Sequence, residues 1–174
     1  MIKFRSQQSG FTLVELLIVI AIIGVLAGLV LANLSGARER ARDSQRKNDL
    51  RQIQTALRLM YNDYQQYPGS SNDFRIRFQG TDGTDITYSW GEEMAIGSNT
   101  YMGRLPKDTL STSIYNYNYW RSGTDTDVYC LWGNLENSSD ASITESQTRC
   151  NNYCNVGNLD GTRFTSQSFV VCNE

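Results

Sequence analysis

Histidine is absent from the 174 residues, and with it go the Ser-His-Asp and Cys-His nucleophile systems and the commonest transition-metal ligand. Proline is nearly absent: two prolines exclude a collagen-like or proline-rich linker chain. Charge of either sign is close to balanced, 18 acids against 16 bases, for a formal net charge of -2. The mean hydropathy of -0.44 excludes a polytopic membrane protein. No glycine-rich phosphate loop, metal cluster or pair of catalytic carboxylates at informative spacing occurs, so the chain reads as a non-enzyme without cofactor or metal. The length leaves room for one modest domain plus an appendage.

The appendage is N-terminal. A short polar stretch carrying Lys3 and Arg5 ends at Gly10, and the run from Phe11 to Ala32 is broken by a single charge, Glu15. As a helix rising 1.5 Å per residue that run is roughly 33 Å long, enough for a hydrocarbon core of about 30 Å. The exit Asn33-Leu34-Ser35-Gly36-Ala37 is a poor match to a signal-peptidase site, and the apolar run is longer than a signal's. An acid inside such a segment costs about 2.5 to 3.5 kcal/mol and calls for a partner. Cutting the chain after Gly10 would create one, an α-ammonium on Phe11 one helical turn from the Glu15 carboxylate. Gly24 and Gly28, one turn apart, would let another helix approach closely.

The stretch Gly10-Phe11-Thr12-Leu13-Val14-Glu15 followed by Leu16-Leu17-Ile18-Val19-Ile20-Ala21-Ile22-Ile23-Gly24 resembles the class III signal of type IV prepilins and type II secretion pseudopilins. The resemblance implies cleavage after Gly10 by a prepilin peptidase, N-methylation of Phe11, and pairing of Glu15 with the N-terminus of an adjacent subunit. It also implies an inner-membrane assembly platform and a cytoplasmic assembly ATPase as partners, and self-association into a filament. Asp49 to Leu57, with Tyr67-Pro68 after them, resemble the second half of a pilin helix, and Leu105-Pro106-Lys107-Asp108 resembles a segment common in major pseudopilins. Many relatives carry a proline where this chain has Ala32 or Asn33.

From Arg38 to Arg51 six basic residues alternate with three acidic ones, and no proline or glycine interrupts Ala37 to Tyr67, so helix continues through this zone. Leu50, Ile53, Leu57, Met60 and Tyr64 recur at spacings of three and four, a narrow stripe suited to lie on a sheet. Contact of the basic zone with nucleic acid or anionic lipid is an alternative that the interleaved acids weaken. Glu39 with Asp43 and Arg42 with Arg46 share one helix face, which suits a solvated or subunit-contacting surface laced with ion pairs. These bases also place the wrong flank in the cytoplasm by the positive-inside rule. Four cysteines in the last third point the other way, as does the N-in, C-out insertion that the resemblance implies. The chain is therefore expected as a single-pass membrane protein before assembly and an extracellular filament afterwards.

Beyond Gly69 the composition turns to Gly, Ser, Thr, Asn and Asp with scattered aromatics, the pattern of short strands and turns. Strand candidates are Ile76–Tyr88, Ile114–Tyr119 with its period of two, Val128–Leu135 with both faces apolar, and Arg163–Cys172. Tyr115, Tyr117 and Tyr119 read as cross-strand packing ahead of stacking on carbohydrate or single-stranded DNA. Asp125, Asp127 and Asp160 read as turn residues ahead of calcium ligands. Cys130, Cys150, Cys154 and Cys172 form a disulfide framework with three pairings open, each bridge stabilising by roughly 3 kcal/mol.

The expected architecture is α+β: a long N-terminal α-helix of pilin type packed on a small antiparallel β-sheet, with a disulfide-tied C-terminal loop region. Residues 1–10 form the leader, 11–35 the membrane and filament-core helix, 36–67 the amphipathic half and 68–174 the β-rich head. The expected function is a structural subunit of an extracellular filament of the type IV pilus kind, polymerised through its N-terminal helix. A type II secretion pseudopilin or minor pilin priming assembly is the first alternative, and a membrane-anchored binding module the second.

Overall fold

The computed structural model of the chain describes residues 11–110, 112, 114–154 and 164–173, residues 30–33 by their backbone alone. Gly10 and the rest of the leader, Asp160 and Arg163 lie outside the described residues. Helix α1 runs Leu13–Tyr64, followed by β1 Gly69–Ser70, β2 Ile76–Gln79, β3 Asp85–Thr87, β4 Met94–Ile96, β5 Asn99–Met102, β6 Asn118–Arg121, β7 Tyr129–Asn134, α2 Ala141–Cys154 and β8 Ser168–Cys172. The strands form antiparallel sheets in the orders β1-β2-β3, β4-β5 and β6-β7-β8. Two units divide at Arg38 and Glu39. The first holds the apolar start of α1; the second, the head, holds the rest.

Within the head, α1 buries Leu50, Ile53, Leu57 and Met60 at 0 to 1% exposure, with Tyr64 packed beside them. This is the expected stripe, and each such side chain stabilises by about 1.5 to 3 kcal/mol when fully buried. Gln65 ends the helix with a positive φ of 54°, its N–H donating to the Tyr61 carbonyl at 2.7 Å, a left-handed cap in the position that glycine usually takes.

Strand β7 is central, and all six of its residues are buried. Tyr129 and Leu131 belong to the core that α1 covers; Cys130 and Trp132 belong to a second core that contains Cys150 and Cys154 of α2. The both-faces-apolar pattern thus has two helices behind it. Gly133 of β7 lies against the Tyr117 ring: a Cβ there would meet Tyr117 Cδ1 at 3.0 Å, with Leu50 Cδ1 of α1 at 3.7 Å. Gly133→Ala is expected to lower the stability of the head by about 1 to 3 kcal/mol through overpacking, measured as a shifted denaturant midpoint.

Three expectations need correction. The C-terminal region is not only loop: α2 occupies Ala141–Cys154, with Asp140 as its N-cap accepting the Ser142 N–H at 3.0 Å. The alternating run Ile114–Tyr119 is strand only from Asn118. Upstream, Tyr115 N–H and the Asn116 amide bond to Thr112, and the Asn118 amide donates to the Asn116 carbonyl, local bonds that compete with a ladder. Tyr117 and Tyr119 are core residues at 2 and 0% exposure. Finally, Ile76–Tyr88 is two strands, joined by the Gly80–Gly83 turn, in which Gly83 has φ 88°.

The outer edge of β8 is occupied by side chains. Ser146 Oγ accepts the Val170 N–H, Gln147 donates to the Ser168 carbonyl, and Gln54 of α1 donates to the Cys172 carbonyl. An edge strand so covered offers little template for another strand.

Candidate functional site

Of the residues expected from the sequence to serve processing and assembly, Phe11 lies just before α1, and Glu15, Gly24 and Gly28 lie within it. Thr12 precedes the first helical residue, and Glu15 stands at the third position of the helix. The Thr12 N–H and hydroxyl both donate to Glu15 Oε2 at 2.8 Å, and the Glu15 N–H donates to Thr12 Oγ1 at 3.2 Å. This is a reciprocal capping box, which satisfies first-turn donators that have no partner within the helix. The spacing Thr-x-x-Glu was present in the sequence, yet it pointed there to the ammonium partner alone; Thr12 is the residue that sequence reasoning left without a role. The carboxylate is thereby aimed back toward Phe11.

Around the helix the apolar side chains are bare: Phe11 is 90% exposed, and Leu13, Leu16, Ile20, Ile23 and Leu26 all exceed half exposure. A helix apolar all round requires lipid or other helices about it. Gly24 and Gly28 have nothing within 4 Å of where a Cβ would stand, so one copy of the chain gives them no packing role. By length and composition no single helix among the described residues is long and apolar enough to cross a membrane.

The charged zone of α1 in the head is not the solvated face that the sequence suggested. Asp43 and Arg46 are 2% exposed. Arg46 Nε donates to Asp108 Oδ2, its Nη1 donates to Asp43 Oδ1 and Glu136 Oε1 at 2.7 Å, and the Tyr115 ring lies 4.8 Å from the guanidinium carbon. Arg42 grips Glu136 through two nitrogens, and Lys47 bonds Asp140 at 2.7 Å. Asp43 also accepts the backbone N–H groups of Glu136 and Asn137, both at 2.9 Å. Tyr117 donates to Asp49 at 2.7 Å. Burial pulls the Arg46 guanidinium down, but its bonds to Asp108 and Glu136 outweigh that and hold it above the usual arginine range. A cavity of about 530 Å³ lies beside this cluster, between α1 and the Pro106–Thr109 segment. Asp108, expected only to organise a turn, does so through the Leu110 N–H and also carries the principal ion pair with α1.

Bonds from Arg42, then from Arg46, hold the Glu136 carboxyl down at about 2. A group depressed in this way stabilises the fold above its ordinary pKa of 4.5, and the contribution is lost as pH falls from there toward 2. Acid is therefore expected to weaken the head by up to about 3 kcal/mol through Glu136 alone. Glu136→Gln should flatten that part of the stability profile, measured by thermal unfolding between pH 5 and 2, the interval set by the two pKa values.

The cysteines pair as Cys130 with Cys154 and Cys150 with Cys172. Both bridges fasten α2 to the sheet, on strands where Cys130 and Cys172 stand directly opposite. Asp125 accepts the Asp127 N–H in its turn. Among the described residues no group of three or more acids or cysteines is placed to hold a metal ion.

A family model described as a prokaryotic N-terminal methylation motif matches residues 5–31. The chain is 30% identical over 129 residues to the type II secretion system core protein G of Pseudomonas aeruginosa, covering 73% of this chain and 84% of that protein. To the core protein G of Escherichia coli K12 it is 32% identical over 106 residues, 61% of this chain and 69% of that one. The type IV major pilin protein PilA of Myxococcus xanthus is 34% identical over 71 residues, 41% of this chain and 32% of PilA. No solved structure matches the chain. With the methylation motif at its start and similarity that continues well past the helix, the chain belongs to the type IV pilin and type II secretion pseudopilin family.

Proposed function

We propose that the chain is a filament subunit of the type II secretion pseudopilin kind. The observation that carries this reading is the bare apolar surface of α1 from Phe11 to Leu29, on a chain whose similarity to core protein G spans 129 residues. In this reading residues 1–10 are removed by a prepilin peptidase and the new N-terminus, Phe11, is methylated. The mature chain waits in the membrane through residues 11–35, its N-terminus cytoplasmic and its head outside, residues 36–67 forming the amphipathic half of the helix and 68–174 the rest of the head. An assembly platform driven by a cytoplasmic ATPase then passes it into the filament. There the apolar helices cover one another, Gly24 and Gly28 permit close approach, and Glu15 neutralises the α-ammonium of a neighbour. The Thr12 bonds keep that carboxylate at the helix start until the ammonium competes for it. The family is structural rather than catalytic, and the chain acts here as a polymer unit.

A second reading, the major subunit of an extracellular type IV pilus, is favoured by the match to PilA, which covers only 32% of that protein. The two readings separate in a strain lacking the chain and complemented with the wild type or with Glu15→Ala. The pseudopilin reading predicts that secreted proteins fall at least tenfold in the culture medium without the chain or with Glu15→Ala, and recover with the wild type. Unchanged secretion together with loss of surface filaments would replace it with the pilus reading.

A further inference from the structure

The head leaves one face of α1 unused. Opposite the stripe of Leu50, Ile53 and Leu57, residues Arg40, Ser44, Asn48, Arg51, Thr55 and Arg58 are exposed. At 100° per residue Arg40, Arg51 and Arg58 fall within about 20° of one another and span roughly 27 Å of helix. The fold itself selects them. Arg42, Arg46 and Lys47 are taken up by Glu136, Asp43, Asp108 and Asp140, whereas Arg40, Arg51 and Arg58 enter no ion pair among the described residues. The acids of this part of α1, Glu39, Asp43, Asp49 and Asp63, lie at other angles, so the stripe is of one sign.

The rest of the chain has the opposite sign: from Gln65 onward there are seven bases and thirteen acids. Most of its acids are engaged. Asp73 and Asp85 pair with Arg75 and Arg77, and Asp82 and Asp125 bond backbone N–H groups of their own turns. Glu92 and Glu93 put two exposed acids side by side before β4, whereas Glu145 of α2, also exposed and without an ion pair among the described residues, stands alone: Glu93 accepts the Thr100 hydroxyl at 2.9 Å, and neither Glu92 nor Glu93 enters an ion pair among the described residues, although Arg104 and Lys107 lie nearby in the chain.

We propose that the Arg40–Arg51–Arg58 face of α1 docks against the Glu92–Glu93 loop of a second copy of the chain. The inference rests on the filament reading and adds to it a second contact, between heads, that is ionic where the helix contact is apolar. Opposed charges of this kind set register and partner choice more than raw affinity. The contact joins two different surfaces, so it can repeat from copy to copy, as an open helical polymer requires.

Full-length chain is expressed in cells as wild type, as R40E/R51E/R58E, as E92R/E93R, and with all five changes combined. The chain is overproduced, and filaments from both the cell surface and the cell envelope are then isolated and quantified by microscopy. All five positions are exposed, and such surface substitutions change stability little; intact disulfides by mass spectrometry check the fold. The expected result is a drop in filaments of tenfold or more in each single-surface variant and recovery to at least half the wild-type amount in the combined one. No drop, or no recovery, overturns the proposal. Undiminished assembly of R40E/R51E/R58E with loss of duplex DNA binding by the filaments also overturns it, since the stripe would then serve nucleic acid. Absence of filaments from the wild type itself would count against the filament reading instead.

Discussion

Arg46→Met is expected to lower the unfolding free energy of the head by about 3 to 5 kcal/mol, the cost of removing one partner from a buried ion pair. Arg46 is the hub: three carboxylates, Asp43, Asp108 and Glu136, converge on it from α1 and from two loops 62 and 90 residues further along the chain. Methionine fills the volume of the stem but leaves those carboxylates without their common cation in a site that is 2% exposed at Asp43 and Asp108. In a domain of this size such a loss corresponds to about 10 to 20 °C in Tm. The pH response separates charge from packing. The wild type weakens on acidification because Glu136 must be protonated, whereas in Arg46→Met protonation relieves the stranded carboxylates. The gap in Tm between the two should therefore narrow as pH falls below 4.5, the ordinary value for Glu136. A Tm within about 2 °C of wild type at neutral pH, well short of what a loss of this size requires, would show that the cluster is not what fastens α1 to the loops.

Opening both disulfides is expected to have an effect of similar size. The bridges close segments of 24 and 22 residues, each stabilising by about 3 kcal/mol on the chain-entropy model. Helix α2 depends on them more than that figure conveys. Its sequence, Ala-Ser-Ile-Thr-Glu-Ser-Gln-Thr-Arg-Cys-Asn-Asn-Tyr-Cys, is rich in weak helix formers, and 14 residues are marginal for an isolated helix. Ile143, Ser146, Cys150 and Cys154 are its buried residues, so half of its anchoring surface is the cystines themselves. On reduction α2 is expected to leave the sheet and expose Trp132, which is fully buried between Phe74 and Phe164. Tryptophan emission should move to the red and the helical signal fall, while the α1 core around Leu50 and Leu131 persists. An unchanged emission spectrum after complete reduction would contradict this dependence.

How much of this could be read from the sequence follows from how local each signal is. The stripe from Leu50 to Tyr64 was legible because helical periodicity is a short-range pattern, and β7 because an apolar run of strand length needs two covered faces. The continuation of the buried stripe through Asp43, Arg46 and Asp49 was not legible, because a charged residue reads as solvated until its partners are known, and Asp108 and Glu136 are remote in the chain. Helix α2 escaped because two of its four buried positions are cysteines, which read first as bridges, and one is Ser146. Cysteine spacing left three pairings, which only the fold reduces to one. At the N-terminus the residues themselves were legible, but the role of Thr12 toward Glu15 was obscured by the more conspicuous expectation of an ammonium partner.

The central claim, a chain cut after Gly10 and polymerised through α1, is tested most directly by intact mass spectrometry of the protein in filaments isolated from the cell envelope and the cell surface. The account predicts a chain that begins at Phe11, heavier by the net CH2 of one N-methylation and lighter by two hydrogens for each of two disulfides, within thin filaments seen by electron microscopy. A chain that retains Met1, with no filament containing it, would contradict the account and leave a membrane-anchored head in its place.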